Sequence, residues 1–238
     1  MLPTDIHELL GKVKDKKQLL GFLQRHMTDK RSERFEEVLQ FRTRYLTVAV
    51  EDVYQERNAS AIVRTADCFG IQDVHIIENF NEYKLSEGIA KGSEKWVDVH
   101  IYDRAENNSL DCINQLQEKG YRIIASSPHN SQRTIPELEI DTPTAIFLGG
   151  EKGGLSGTVL DQAEEFVTIP MFGFTESFNL SVAGALILQE LTRKLHDSGL
   201  AWQLSEEEKS DLRLEWTIKT VASSKELIKK FIQSGQGI

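Results

Sequence analysis

The chain has 238 residues, 39% hydrophobic and 27% charged, with 16 Gly, 5 Pro and 2 Cys, enough for one α/β domain with appended helices or for two small domains, and too apolar for a disordered chain. The longest apolar stretches, such as Ala183 to Leu188, fall far short of the roughly 20 residues of a bilayer helix, and the N-terminus lacks a signal-peptide core, so no membrane partner and a cytoplasmic location are expected. A net charge of −9 argues against a general polyanion binder, because phosphate contacts need Lys and Arg.

The charge is uneven along the chain. Met1 to Leu46 carries 10 Lys+Arg against 7 Asp+Glu, and the remainder 18 against 30, so a nucleic-acid partner would meet the N-terminal arm, unless its lysines only coat a packed helix pair. The arm, residues 1–45, reads as helical. Asp5 and Glu8 have capping-box spacing; Leu19, Leu20, Phe22 and Leu23 form one apolar stripe and Phe35, Val38 and Leu39 another.

Residues 46–200 alternate between two patterns. Short β-branched runs at Leu46 to Val50, Val74 to Ile77, Val97 to Tyr102, Arg122 to Ala125, Ala145 to Leu148 and Phe166 to Ile169 read as strands. Helical segments at Ala59 to Phe69, Ala105 to Lys119, Ser156 to Glu164 and Leu180 to His196 separate most of them, which predicts an α/β fold with a parallel sheet and helices on both faces. In residues 201–238, Ser205 with Glu208 and Ser223 with Glu226 make capping boxes for a helical tail. Cys68 and Cys112 lack metal-ligand spacing and are expected as buried thiols, with no metal.

Ligands of open α/β sheets bind at the carboxyl ends of strands. Three loops there are unusual: Ser126-Ser127-Pro128, Gly149-Gly150-Glu151-Lys152-Gly153-Gly154 and Ile169-Pro170-Met171-Phe172-Gly173. The glycine loop is not a P-loop, since Leu155 rather than Lys follows Gly154, and it comes too late for a dinucleotide fingerprint. It is either a plain turn or a ligand loop. Glu151, among four glycines, has no packing to gain, so a polar contact to a ligand or to backbone amides is expected. Asn58 and either Ser177 or Asn179 stand where helix N-caps belong. Arg64, among Ile62, Val63 and Phe69, needs an anionic partner, either a salt bridge or a phosphate.

Asn58-x-Ser60-x-Ile62-x-Arg64-Thr65, Gly149-x-Glu151-x-x-Gly154-Leu155 and Ile169-Pro170-Met171-x-Gly173-x-x-Glu176-Ser177-Phe178-Asn179-Leu180-Ser181-Val182-Ala183 resemble the three signature motifs of the SpoU family, in order. Within it the chain is most similar to the TrmH-type tRNA guanosine 2'-O-methyltransferases. The resemblance implies a SPOUT-type trefoil-knotted parallel sheet flanked by helices, an obligate homodimer, and S-adenosyl-L-methionine held near Ser126, Gly149, Ile169, Met171, Phe178 and Leu180. It carries Asn58, Arg64, Glu151, Ser177 and Asn179 over as functional, with Glu151 orienting Arg64 or Asn58. The implied activity is methylation of a tRNA ribose, at the D-loop guanosine; ribosomal RNA, another tRNA site, or a non-catalytic RNA-binding dimer are the alternatives.

Overall fold

Every strand of the sheet runs parallel to its neighbours, as the alternation of β-branched runs and helices requires. The computed structural model describes residues 2–83, 87–128 and 133–234. In chain order, α1 (Thr4–Leu10), α2 (Lys16–Gln24) and α3 (Asp29–Leu39) precede β1 (Leu46–Glu51), α4 (Glu56–Cys68), β2 (Asp73–Ile77), the one-turn α5 (Glu87–Ala90) and β3 (Asp98–Tyr102). There follow α6 (Asn108–Glu118), β4 (Arg122–Ser126), the two-residue β5 (Arg133–Thr134), β6 (Thr144–Gly149), α7 (Gly157–Gln162), β7 (Glu165–Thr168) and α8 (Leu180–Asp197). Two helices close the chain, α9 (Glu206–Thr220) and α10 (Ser224–Gln233). No helix among the described residues is long and apolar enough to cross a membrane.

The chain divides into two compact units, Thr43–Trp202 and a helical unit that joins Met1–Arg42 with Gln203–Ile238. In the first, the strand order is β3-β2-β1-β6-β4-β7-β5. Leu46 lies opposite Thr144 and Glu51 opposite Gly149, so β1 and β6 end level with each other. Alternate side chains go to opposite faces. On one face Val48, Val50, Ile146 and Leu148 meet Ile62 and Val63 of α4 and Leu188 and Leu191 of α8; on the other, Ala49, Ala145 and Phe147 meet Ile113 and Leu116 of α6 and Val159 of α7. Each large side chain buried this way contributes about 1.5–3 kcal/mol.

In the helical unit, Leu19 and Leu23 of α2 share a core with Leu214 and Ile218 of α9 and Ile228 and Phe231 of α10. The two ends of the sequence therefore depend on each other. Lys12, Lys14, Lys17 and Arg25 lie on the exposed side, and Lys16 pairs with Asp211 at 3.1 Å. Ser205 and Glu208 form their capping box. The other two boxes do not form: α1 starts behind Pro3, leaving Asp5 inside it to pair with Lys225, and Ser223 enters the left-handed region at φ 54° with no side-chain cap. Cys112 is buried as expected, but Cys68 is exposed because it falls on the outer face of α4.

Near the N-terminal ends of β1 to β3 lies a polar network. Arg44 Nη1 donates to Asp73 at 2.5 Å and Nη2 to Asp98 at 2.8 Å, His100 Nε2 is 2.8 Å from Asp73, and the rings of His100 and His75 stack at 4.8 Å. Bonds from His100 and Arg44 outweigh burial and hold Asp73 at about 2, whereas burial, aided by the neighbouring His100, depresses His75 to about 3. The unfolded chain protonates His75 near pH 6.5 and the folded chain only near pH 3, so its stability is fully present above 6.5 and declines as pH falls toward 3. Urea unfolding should show a loss of about 2 kcal/mol between pH 6.5 and 4.5. His75→Phe should flatten that slope; an unchanged slope would assign it to other groups.

Candidate active site

The loops after β4, β6 and β7 and the first turns of α8 enclose a cavity of about 640 Å³, within the size range of small-ligand sites. Its walls combine apolar side chains, including Leu148, Leu160, Ile169, Met171 and Leu180, with Ser126, Ser177 and the backbone of Gly149–Gly154. All six residues expected around the cofactor line it, as do Glu151, Ser177 and Asn179; Asn58 and Arg64 do not. Leu160 and Ala183 also line it. Ala183 closes the third motif, whereas Leu160 sits on α7 with no motif to mark it, so only the packing of that helix brings it there.

The glycine loop folds back on itself. Gly154, at φ 67°, donates its amide to Gly150 O at 3.0 Å. A Cβ on Gly149 would lie 2.1 to 2.5 Å from the backbone of Gly154 and Leu155, and one on Gly150 would lie 2.4 Å from Asp52 O. Gly149 is therefore demanded by the loop's own closure, and Gly150 by the close approach of the loop after β1. Gly153 faces open space.

Closure presents the Glu151 carboxylate to the N-terminal part of α4. Its Oε2 accepts from the Tyr54 amide at 3.1 Å and its Oε1 from Asn58 Nδ2 at 2.5 Å. Asn58 is 5% exposed, and it is not the cap of its helix: α4 begins at Glu56 behind Gln55, which leaves the Asn58 side chain available to Glu151. Asn58 Oδ1 in turn accepts from Asn179 Nδ2 at 3.3 Å. Asn179 is the true cap of α8, its Oδ1 accepting from the Ser181 and Val182 amides at 2.9 and 3.4 Å. Asn179 uses one end of its amide as a cap and the other for its neighbour, while Asn58 bridges with both ends, so three distant segments are joined in a single chain of hydrogen bonds.

Arg64 stands apart. The buried stripe of α4 is Ala59, Ile62, Val63 and Ala66; Arg64 points outward, exposed, and among the described residues it meets no hydrogen-bonding or ionic partner. Of the two partners expected, a salt bridge or a phosphate, no salt bridge forms among the described residues, because the helix buries its other face. Glu151 holds Asn58, not Arg64. Beyond β7, Phe172 and Phe174 are fully exposed, and Phe178, Val182 and Leu186 form a half-exposed stripe at a spacing of four along the start of α8.

The SpoU rRNA Methylase family matches residues 45–189. A protein of Borreliella burgdorferi named tRNA (guanosine(18)-2'-O)-methyltransferase is 39% identical over 215 residues, covering 90% of this chain and 96% of its own length. One of the same name from Escherichia coli K12 is 34% identical over 174 residues, 73% and 74% of the two chains. Among solved structures, the A. aeolicus TrmH/SpoU tRNA modifying enzyme superposes with a TM-score of 0.72 at 31% identity, over 82% of this chain and 98% of that one. The SpoU methyltransferase AviRb of Streptomyces viridochromogenes, solved with the cofactor AdoMet, shares the fold at a TM-score of 0.57 and 21% identity, over 66% and 63% of the chains.

The contrast between the glycines is testable without any ligand. Gly149→Ala, whose methyl would collide with backbone rather than with a yielding side chain, should lower the melting temperature by several degrees, corresponding to at least about 1–3 kcal/mol. Gly153→Ala should melt as wild type. Equal melting temperatures by calorimetry would show that the loop yields to Gly149.

Proposed function

The chain belongs to the SpoU rRNA methylase family, and from this we propose that it transfers a methyl group from S-adenosyl-L-methionine to a ribose 2'-hydroxyl of tRNA, at the D-loop guanosine. The observation that carries the reading is the hydrogen-bond chain Tyr54–Glu151–Asn58–Asn179, which unites all three motifs at the wall of one cavity. The cavity fits a nucleoside-sized ligand: Ser126, Gly149, Ile169, Met171, Phe178 and Leu180 would hold the cofactor through backbone groups and apolar contacts. When bound, it supplies an electrophilic methyl on a sulfonium.

The chain's own groups position the acceptor. The Arg64 guanidinium, without a partner among the described residues, serves as a phosphate anchor and stabilises charge on the ribose oxygen. Both Glu151 oxygens are occupied, which makes it the group that fixes Asn58. Ser177 and Asn179 shape the loop before α8 beside the reacting ribose. No metal enters this scheme, since a displacement at a sulfonium methyl depends on alignment.

The same family reading includes a homodimer, a knotted chain and a cytoplasmic location. Support for the dimer is the exposed Phe178, Val182 and Leu186 stripe, with Phe172 and Phe174 exposed just before it in the chain, apolar side chains that a second copy would cover. The knot draws support from the strand order, in which β6 slots between β1 and β4, and β7 between β4 and β5. Basic residues favour the helical unit as the RNA contact, since it holds 15 Lys+Arg against 13 Asp+Glu while Thr43–Trp202 holds 13 against 24.

Incubation with unmodified tRNA and labelled cofactor, followed by mapping of the methylated nucleotide, tests the activity. A 2'-O-methyl group on ribosomal RNA instead would select the alternative substrate, and no transfer to either would end the enzymatic reading. Arg64→Lys retains one charge and loses the planar fork, so kcat/KM for tRNA should fall at least tenfold, about 1.4 kcal/mol, with cofactor affinity within twofold of wild type. Full activity in that variant would reduce Arg64 to a generic cation. Val182→Glu with Leu186→Glu should yield monomers by sedimentation; an unchanged species would place the dimer contact elsewhere.

A further inference from the structure

Two aromatic rings stand in water beside the site. Tyr54 is 57% and Phe80 92% exposed, although rings of this size stabilise a protein chiefly by being buried. They belong to the loops after β1 and β2, and those loops are locked together. Asp52, at φ 50°, accepts with Oδ1 from the amides of Asn79, Phe80 and Asn81 at 2.9, 2.7 and 3.2 Å, and its carbonyl accepts from Asn81 Nδ2 at 3.1 Å. The Tyr54 amide is bonded to Glu151, so the carboxylate that holds Asn58 also fixes the base of this ring.

The cations nearby complete the pattern. Lys152 Nζ sits 3.4 Å from the centroid of the Tyr54 ring, on one of its faces. Arg57 and Arg64 are seven residues apart on α4, hence on the same exposed side and about 10 Å apart along the axis, and among the described residues neither has a hydrogen-bonding or ionic partner. Flat rings held on immobilised loops suit stacked nucleobases, and unpaired guanidinium groups suit the phosphates between them.

We propose that Tyr54 and Phe80 form a stacking lip for the bases of the RNA strand that carries the target ribose, with Lys152, Arg57 and Arg64 against its phosphates. The lip rests on the ribose-methylation reading above and assigns it a substrate subsite outside the three motifs. Because Asp52 and Glu151 fix both loops before RNA arrives, little ordering is required on binding.

Steady-state kinetics of the full-length enzyme on an unmodified tRNA transcript tests the lip, together with cofactor calorimetry and sedimentation. Tyr54→Leu and Phe80→Leu keep apolar bulk and remove the ring; each should raise KM for tRNA about tenfold, the effect of losing one stacked base, with cofactor affinity and sedimentation unchanged. Tyr54→Trp, with a larger face, should lower KM. An unaltered KM in both folded Leu variants overturns the lip, as does a shift of those variants to a smaller species, which would make the rings a contact between protein chains. If the wild type transfers no methyl to tRNA, that failure belongs to the activity reading, and a single-stranded oligoribonucleotide containing 2-aminopurine then decides. Quenching by the wild type that is lost in both Leu variants upholds the lip, and absence of quenching overturns it.

Discussion

Loops at the carboxyl ends of a parallel sheet carry backbone donors that no further strand can satisfy, and in this protein carboxylates satisfy them. Glu51, 1% exposed at the end of β1, accepts from the Ser156 amide at 2.7 Å, the Ser156 hydroxyl at 2.6 Å, the Ser109 hydroxyl and, at 3.4 Å, Asn79 Nδ2. Ser156 caps α7 and Ser109 lies in the first turn of α6, so one buried carboxylate ties two helix starts to β1. Its neighbour Asp52 gathers the loop after β2, and Glu151 gathers the start of α4. A buried charge is tolerable only when so fully bonded. That requirement makes the rim above the sheet rigid, and the cavity is cut into this rim.

The same use of acids changes what the overall charge means. Glu51, Asp73 and Asp98 are turned inward or bonded to donors and ion partners, so they add less to the field felt by an approaching polyanion than their number implies. Arg57 and Arg64 remain unpaired among the described residues. A net charge of −9 is thus compatible with an RNA partner once the positions of the charges are known.

Local rules of helix initiation succeeded where nothing competed with them and failed where tertiary contacts did. Ser205 caps α9 as its spacing with Glu208 foretells. Asp5 has the same spacing with Glu8, yet Pro3 starts the helix earlier and Lys225, from the far end of the chain, claims the carboxylate. Asn58 has a cap's chemistry, but two preceding residues enter the helix first and its amide bridges Glu151 and Asn179. Asn179 caps and bridges at once, and an amide suits this because its acceptor and its donor are separate atoms, so the oxygen can cap the helix while the nitrogen reaches Asn58.

By itself the sequence determined the alternation of strands and helices, hence the parallel sheet, because side-chain periodicity is a local property that survives any arrangement of the elements. It also determined the three motifs, whose residue types and spacing are visible without coordinates. Only the tertiary structure decided that the two terminal helical segments share one core, that Gly150 lets the loop after β1 approach, and that Arg64 faces water while Asn58, six residues earlier, is buried. Those outcomes depend on which surface of a helix meets the sheet and on how closely two loops approach. Both are set by contacts between residues a hundred or more positions apart, such as Asn58 with Asn179 or Glu51 with Ser156, and no local pattern encodes them.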